Sequence, residues 1–361
     1  MIIIKRLVQF SLFSLFLSVS LSNLEPAMAI PYATALQAEP TSTRVQTAPN
    51  AFHAQASLLL QKKQPRKAIP LLKQIVENDP NSLLGYFQLG CAYMDISNNL
   101  SNNRASKNTD IRQESLRDAR KAFQAVLRLN DDLKVTYFKL GKISLLLNEP
   151  ETAKAYYLEG LKHYPNNAAL LFNTGRVYDQ LHQVDAAIQY YEASVKANPG
   201  FTYALNNLAL LYEGQENYTQ AESAYKRALA LNHSYHVARV NFANMLSTVG
   251  RFTEAEALFS AAIKQKPSDA WVHYYQGMMF LKTGDYQAAS ASYQRCIALK
   301  QDFAVAHYLL MLTYSKLNRM DDALQQSQQY LAQFPNGAHR DDVKRFILEA
   351  KLALNHEWNK K

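Results

Sequence analysis

Three asparagines, Asn173, Asn207 and Asn241, stand 34 residues apart. A carboxamide carries both donors and an acceptor, so a column of them can pair with successive peptide groups of an extended chain, whatever that chain's side chains. Other polar and aromatic residues fall in the same register. Arg176 and Asn244 each follow an asparagine by three residues, Lys139 and Lys142 repeat that spacing one interval earlier, and Tyr203 precedes Asn207 by four as Trp271 precedes Tyr275. Lys282 and Lys316 are again 34 apart. The set suits a polar or acidic ligand; the plain alternative is that asparagine is a small polar residue fit for a solvated face.

Covalent and metal chemistry have no such signature. The sequence has no glycine-rich phosphate loop, His-Glu-x-x-His, Cys-x-x-Cys or Gly-x-Ser-x-Gly. His233 and His236 offer two potential ligands without a third, and His273 and His307 recur at one register position, which suits packing. Cys296 reads as a small buried hydrophobe, whereas Cys91 falls in the register of Arg176 and could be a reactive thiol. No catalytic residue, metal or cofactor is expected.

The elements that position these residues are set by a second register. Ala119, Ala153, Ala187, Ala221, Ala255, Ala289 and Ala323 are spaced by 34 residues. Twelve residues before these alanines stand Gly141, Gly175, Ala209, Ala243 and Gly277, with Met311 the exception, and Gly90 and Ala56 serve two earlier units. Small residues on both arms let two helices approach closely, and Phe123, Tyr157, Tyr191, Tyr225, Phe259 and Tyr293 fill the space beside them. Pro80, Pro165, Pro199, Pro267 and Pro335 end the second helices, because the proline ring clashes with the preceding turn.

These residues resemble the tetratricopeptide repeat, a 34-residue hairpin of antiparallel helices with small residues at positions 8 and 20, an aromatic at 24 and proline at 32. Units beginning at 49, 83, 134, 168, 202, 236, 270 and 304 cover residues 49–337. The resemblance implies an all-α fold, an α-solenoid in which hairpins stack into a right-handed superhelix with a concave groove for partner segments. At about 100° per residue, positions 4, 7, 8 and 11 of each first helix cluster on the packing side and 2, 6, 9 and 13 lie nearly opposite. The asparagines occupy position 6. The lysine, arginine and asparagine spacing with which some members grip an acidic C-terminus is incomplete here.

The second unit carries 17 extra residues at about 97–113, rich in Asn and Ser, and is expected to hold a mobile loop between its helices. Either a tolerated insertion or a docking element fits that composition. Residues 338–361 are expected to form a capping helix and tail, with Val343, Phe346, Ile347, Ala350 and Leu354 on one face.

At the other end, Lys5 and Arg6, the apolar stretch Leu7 to Leu21 and Ala27-Met28-Ala29 read as a signal peptide over 1–29, followed by a flexible lead-in over 30–48. The apolar stretch is shorter than a membrane span needs, leaving an uncleaved anchor as the alternative. Export would be to the periplasm or medium of a bacterium. The chain has 361 residues, 39 Lys and Arg against 30 Asp and Glu, and two cysteines, which excludes a disulfide scaffold or a disordered chain. Its basic residues are dispersed, so no nucleic-acid footprint is expected. The sequence therefore reads as a non-enzymatic exported scaffold holding a partner protein's extended segment; polysaccharide binding in envelope assembly is the second reading, and a spacer without a groove ligand the third.

Overall fold

The computed structural model describes residues 51–100 and 106–358, which form seventeen helices and no strand. The signal and lead-in segments lie outside the described residues. Contacts divide the chain after Tyr156 into two compact units. The first holds α1 (Ala51–Gln61), α2 (Pro65–Asn78), α3 (Leu83–Leu100), α4 (Ser106–Leu129) and α5 (Lys134–Leu146), and its boundary falls within α6 (Pro150–His163). The second holds the hairpins α7 (Ala168–Gln180) with α8 (Val184–Ala197), α9 (Thr202–Gly214) with α10 (Tyr218–Leu231), and α11 (His236–Thr248) with α12 (Phe252–Gln265). It continues with α13 (Ala270–Thr283) and α14 (Tyr286–Leu299), α15 (Ala304–Lys316) and α16 (Met320–Gln333), and ends on α17 (Arg340–Trp358).

The two sequence registers become one packing motif. All seven register alanines are fully buried, as are Phe123, Tyr191, Tyr225, Phe259 and Tyr293. Each aromatic ring lies across the small residue of its partner helix so closely that a Cβ on Gly90 would come within 2.7 Å of Phe123, on Gly175 within 2.8 Å of Tyr191 and on Gly277 within 2.7 Å of Tyr293. Packing of this density, repeated, is what holds such short helices in place, since an isolated helix of 13 or 14 residues is marginal in water.

The turn inside each hairpin has its own 34-residue register. Asn148, His182, Glu216, Gly250, Gly284 and Asn318 all adopt positive φ, between 56° and 82°, and reverse the chain between the two helices. Only Gly250 and Gly284 do so without a Cβ penalty. Asn167, Asn217, Asp269 and Asp285 cap the following helices, each accepting a backbone N–H.

Of the inserted residues of the second hairpin, 97–100 and 106–113 are helical where their composition led to the expectation of a loop, and 101–105 lie outside the described residues. Helix α3 continues to Leu100 and α4 begins at Ser106, giving 18- and 24-residue arms where the described helices of the other repeats have 11 to 14. At the base of these arms Ser97, Ser115 and Leu116 are buried, Leu116 in the core with Phe87, Met94 and Phe123, while Ile96 faces the α1–α2 turn. Extending a formed helix adds one hydrogen bond per residue with no new nucleation, which outweighs the modest propensities of Asn and Ser. At the other end α17 buries Val343 and Ala350 and leaves Leu348 and Leu352 exposed.

Candidate functional site on the inner face of the first helices

Within the second unit, consecutive first helices touch directly, α9 with α11 and α11 with α13. Glu213 on α9 lies within electrostatic reach of Tyr275 and Lys282, two repeats further on. The first helices therefore converge on one face, and this inner face carries most of the sequence-derived candidates.

The asparagines form a linked chain, but not the column their spacing suggests. Asn241 Nδ2 donates to Asn206 Oδ1 at 3.1 Å, Asn206 Nδ2 to Asn207 Oδ1 at 3.2 Å, and Asn207 Nδ2 to the Tyr191 hydroxyl at 3.2 Å. Asn206, at position 5, is the link that the positional argument omits. Asn173 stands apart from this chain: it is 5% exposed, donates to the Ala169 carbonyl of its own helix at 2.7 Å and accepts from Arg176 at 3.3 Å. Its role is to orient the Arg176 guanidinium, which also lies 5.9 Å from the Phe172 ring. Asn244 is 8% exposed beside this chain.

The aromatic candidates pack among themselves. Tyr203 is joined edge-on to Phe201 and Tyr235. Trp271 meets Tyr274, Tyr275 and Phe303, with centroids 4.6 to 6.0 Å away, and the Lys300 ammonium stands 5.6 Å from its ring. Lys282 and Lys316 are exposed. In the first unit, Lys139 and Lys142 are half-buried on α5, and the Lys139 charge acts on the Cys91 thiol.

Two acids add to this face at position 12, which the helical-wheel choice passed over. Glu213 accepts a hydrogen bond from the Tyr225 hydroxyl at 3.2 Å. Burial pushes its carboxyl up to about 7, against smaller opposing effects from Tyr225 and the Lys282 ammonium. Asp179 is also raised by burial, with His182 and Arg176 acting the other way.

The remaining chemical candidates are structural. Cys91 is buried rather than presented on the inner face, and burial raises its thiol to about 12, so it is not a reactive nucleophile. His273 and His307 are buried and bond to the carbonyls of Pro267 and Gln301. His236 pairs with Asp269 at 2.8 Å, and the other Asp269 oxygen caps α13 through the Trp271 N–H. Among the described residues no three His, Cys, Asp or Glu side chains come together as a metal site. A cavity of about 340 Å³ lies in the first unit at the α1–α2 turn, lined by Lys63, Pro65, Ile96 and Leu100.

Stacked hairpins with a shared inner face define a helical-repeat interaction scaffold. Two tetratricopeptide-repeat family models match, one over residues 138–201, 172–236, 206–270 and 240–302, the other over 51–82 and 305–337. The chain belongs to the tetratricopeptide-repeat family, the α-solenoid class of protein-interaction scaffolds. Its structure is similar to a tetratricopeptide repeat protein from Parabacteroides merdae, at 19% identity over 72% of this chain and 98% of that one, with a TM-score of 0.53. PilW, a type IV pilus biogenesis factor, is similar at 18% identity over 58% and 97%, with a TM-score of 0.54. The Cut9–Hcn1 hetero-tetramer of the APC/C is similar at 16% identity over 83% and 55%, also with a TM-score of 0.54. These likenesses establish the fold. No curated protein matches the chain.

Proposed function

We propose that the protein is a non-enzymatic scaffold that holds an extended segment of a partner protein along the inner face of its second unit. The chain of carboxamides Asn241–Asn206–Asn207 carries this reading. Asn206 is itself buried and serves as the link, so the donors left for a partner are the second N–H groups of Asn207 and Asn241, each amide fixed by the bond it already makes. Donors already held in place lose little entropy when a peptide backbone binds. Arg176, oriented by Asn173, adds a fixed cation. A glycan is the weaker fit, because Trp271 is enclosed by three rings and Lys300 and offers no open platform.

The signal-like residues 1–29 support export to a bacterial periplasm or medium, where the scaffold would serve envelope assembly or the organisation of a complex. N-terminal sequencing of the protein from its native cell tests cleavage after Ala29.

Gly214 is suited to locating the ligand: it shares position 13 with Lys282 and Lys316, and a Cβ there meets nothing within 4 Å. A photo-crosslinking residue at 214 is expected to yield one adducted partner segment by mass spectrometry, while one at exposed Lys226 on a second helix yields none. Alanine at Asn206, Asn207 and Asn241 together should abolish the adduct. Identical adducts from 214 and 226 would refute the reading.

A further inference from the structure

The inner face of the second unit changes character along its length, and the change has a cost inside the protein. Position 6 carries Asn173, Asn207 and Asn241 in three successive repeats, then Tyr275 and Leu309. Position 12 carries Asp179 and Glu213, then Ser247 and Leu281. Two buried tyrosines depend on these positions. The Tyr191 hydroxyl is met by Asn207, sixteen residues on, and the Tyr225 hydroxyl donates to Glu213, twelve residues back. The same steps from Tyr293 reach Leu309 and Leu281.

The Tyr293 hydroxyl is fully buried and has no hydrogen-bond partner. Its ring lies across Gly277 as that of Tyr191 lies across Gly175, so its hydroxyl is directed at the same face. Leu309 is partly buried against two neighbouring core clusters, so a carboxamide at 309 would exchange some apolar contact for a partner to this hydroxyl. Positions 309 and 281 thus present apolar groups where earlier repeats present groups that satisfy a buried tyrosine.

Lysines rim this apolar stretch. Lys282 and Lys316 are exposed, and Lys300 stands over Trp271 and Phe303. None of the three forms an ion pair among the described residues, and burial disfavours the charged form of Glu213, the carboxylate near Lys282.

We propose that repeats seven and eight read the partner segment, taking a bulky apolar side chain against Leu309 and Tyr275 and a neighbouring carboxylate at Lys282 and Lys316. This rests on the peptide-binding reading and gives that peptide a sequence: Leu, Met, Phe or Trp beside Asp, Glu or a free C-terminus, with backbone continuing along the asparagines.

A positional-scanning library of fluorescein-labelled decapeptides, in C-terminal acid and amide forms, titrated by anisotropy against the full chain, tests it. The expected result is at least tenfold tighter binding of peptides with an apolar residue next to a carboxylate. Loss of binding in the amide series alone assigns the carboxylate to the C-terminus; retention assigns it to a side chain. Leu309→Asn should erase the apolar preference while far-UV circular dichroism shows the helices retained, the new carboxamide offering Tyr293 a partner. Lys282→Glu with Lys316→Glu should turn the acidic preference basic. Peptides that bind through Asn206, Asn207 and Asn241, with a sequence preference unmoved by these variants, would overturn this inference and leave the binding function standing. Absence of binding by any member would overturn both.

Discussion

Replacing Glu213 by Gln should change how the protein's stability responds to pH. In the fold, burial raises the Glu213 carboxyl from the ordinary 4.5 to about 7, and the unfolded chain returns it to the ordinary value. Between those values the folded protein binds a proton that the unfolded chain has released. The favourable contribution is thus complete below about 4.5 and is lost as pH rises through about 7. At about 1.4 kcal/mol per pH unit across that interval, the loss by pH 8 is about 3 kcal/mol. Glutamine is neutral at every pH and can still accept from the Tyr225 hydroxyl, so the variant should lack this contribution. Asp179, His273, His307 and His339 also shift on folding, but they titrate in both proteins and cancel in the difference. Urea unfolding followed by far-UV circular dichroism at pH 5, 6, 7 and 8 reads the effect. With about 1 to 3 kcal/mol per molar urea, the midpoint of the wild type should fall relative to Glu213→Gln by about 1 to 3 M over the series. Parallel midpoints for the two proteins would show that Glu213 is not desolvated as described.

Four further substitutions address the fold. Tyr191→Phe and Tyr225→Phe each remove a bonded hydroxyl and should cost about 1 kcal/mol in chemical denaturation, whereas Tyr293→Phe removes a buried unpaired one and should be neutral or stabilising. Glu216 holds a φ of 59° that side chains resist, so Glu216→Gly should raise stability by about 0.5 to 1 kcal/mol at pH 7, seen as a higher melting temperature; a lower one would contradict the strain.

The hairpins were legible because close helix contact leaves only small residues at two places, and the chain repeats that demand seven times at Ala119 through Ala323. The left-handed turn residue was not, since Asn, His, Glu and Gly all fill it and no residue type marks the register. The inner face was half legible. A single-helix wheel finds Asn207 and Asn241 but misses Asn206, Asp179 and Glu213, which lie at positions 5 and 12, about 80° from the centre of the free side. Those flanks join the site only where neighbouring first helices close upon each other. Asn173 misled in the other direction, because its carboxamide turns back to its own helix and to Arg176. Composition misled at 97–100 and 106–113, where Asn and Ser suggested a loop and the chain instead lengthens two helices already nucleated at the base of the hairpin.

That lengthened hairpin has a consequence for how such an array can vary. Because its arms run antiparallel, residues added to both move the connection outward while Gly90 and Phe123 keep their mutual contact at the base. At about 1.5 Å per residue, the 24 residues of α4 reach about 15 Å further than a 14-residue arm. Growth of this kind leaves the stacking period untouched and gives α3 an added neighbour: Ile96, Asn99 and Leu100 come against Lys63 to Lys67, so the longer arm braces the turn of the repeat before it.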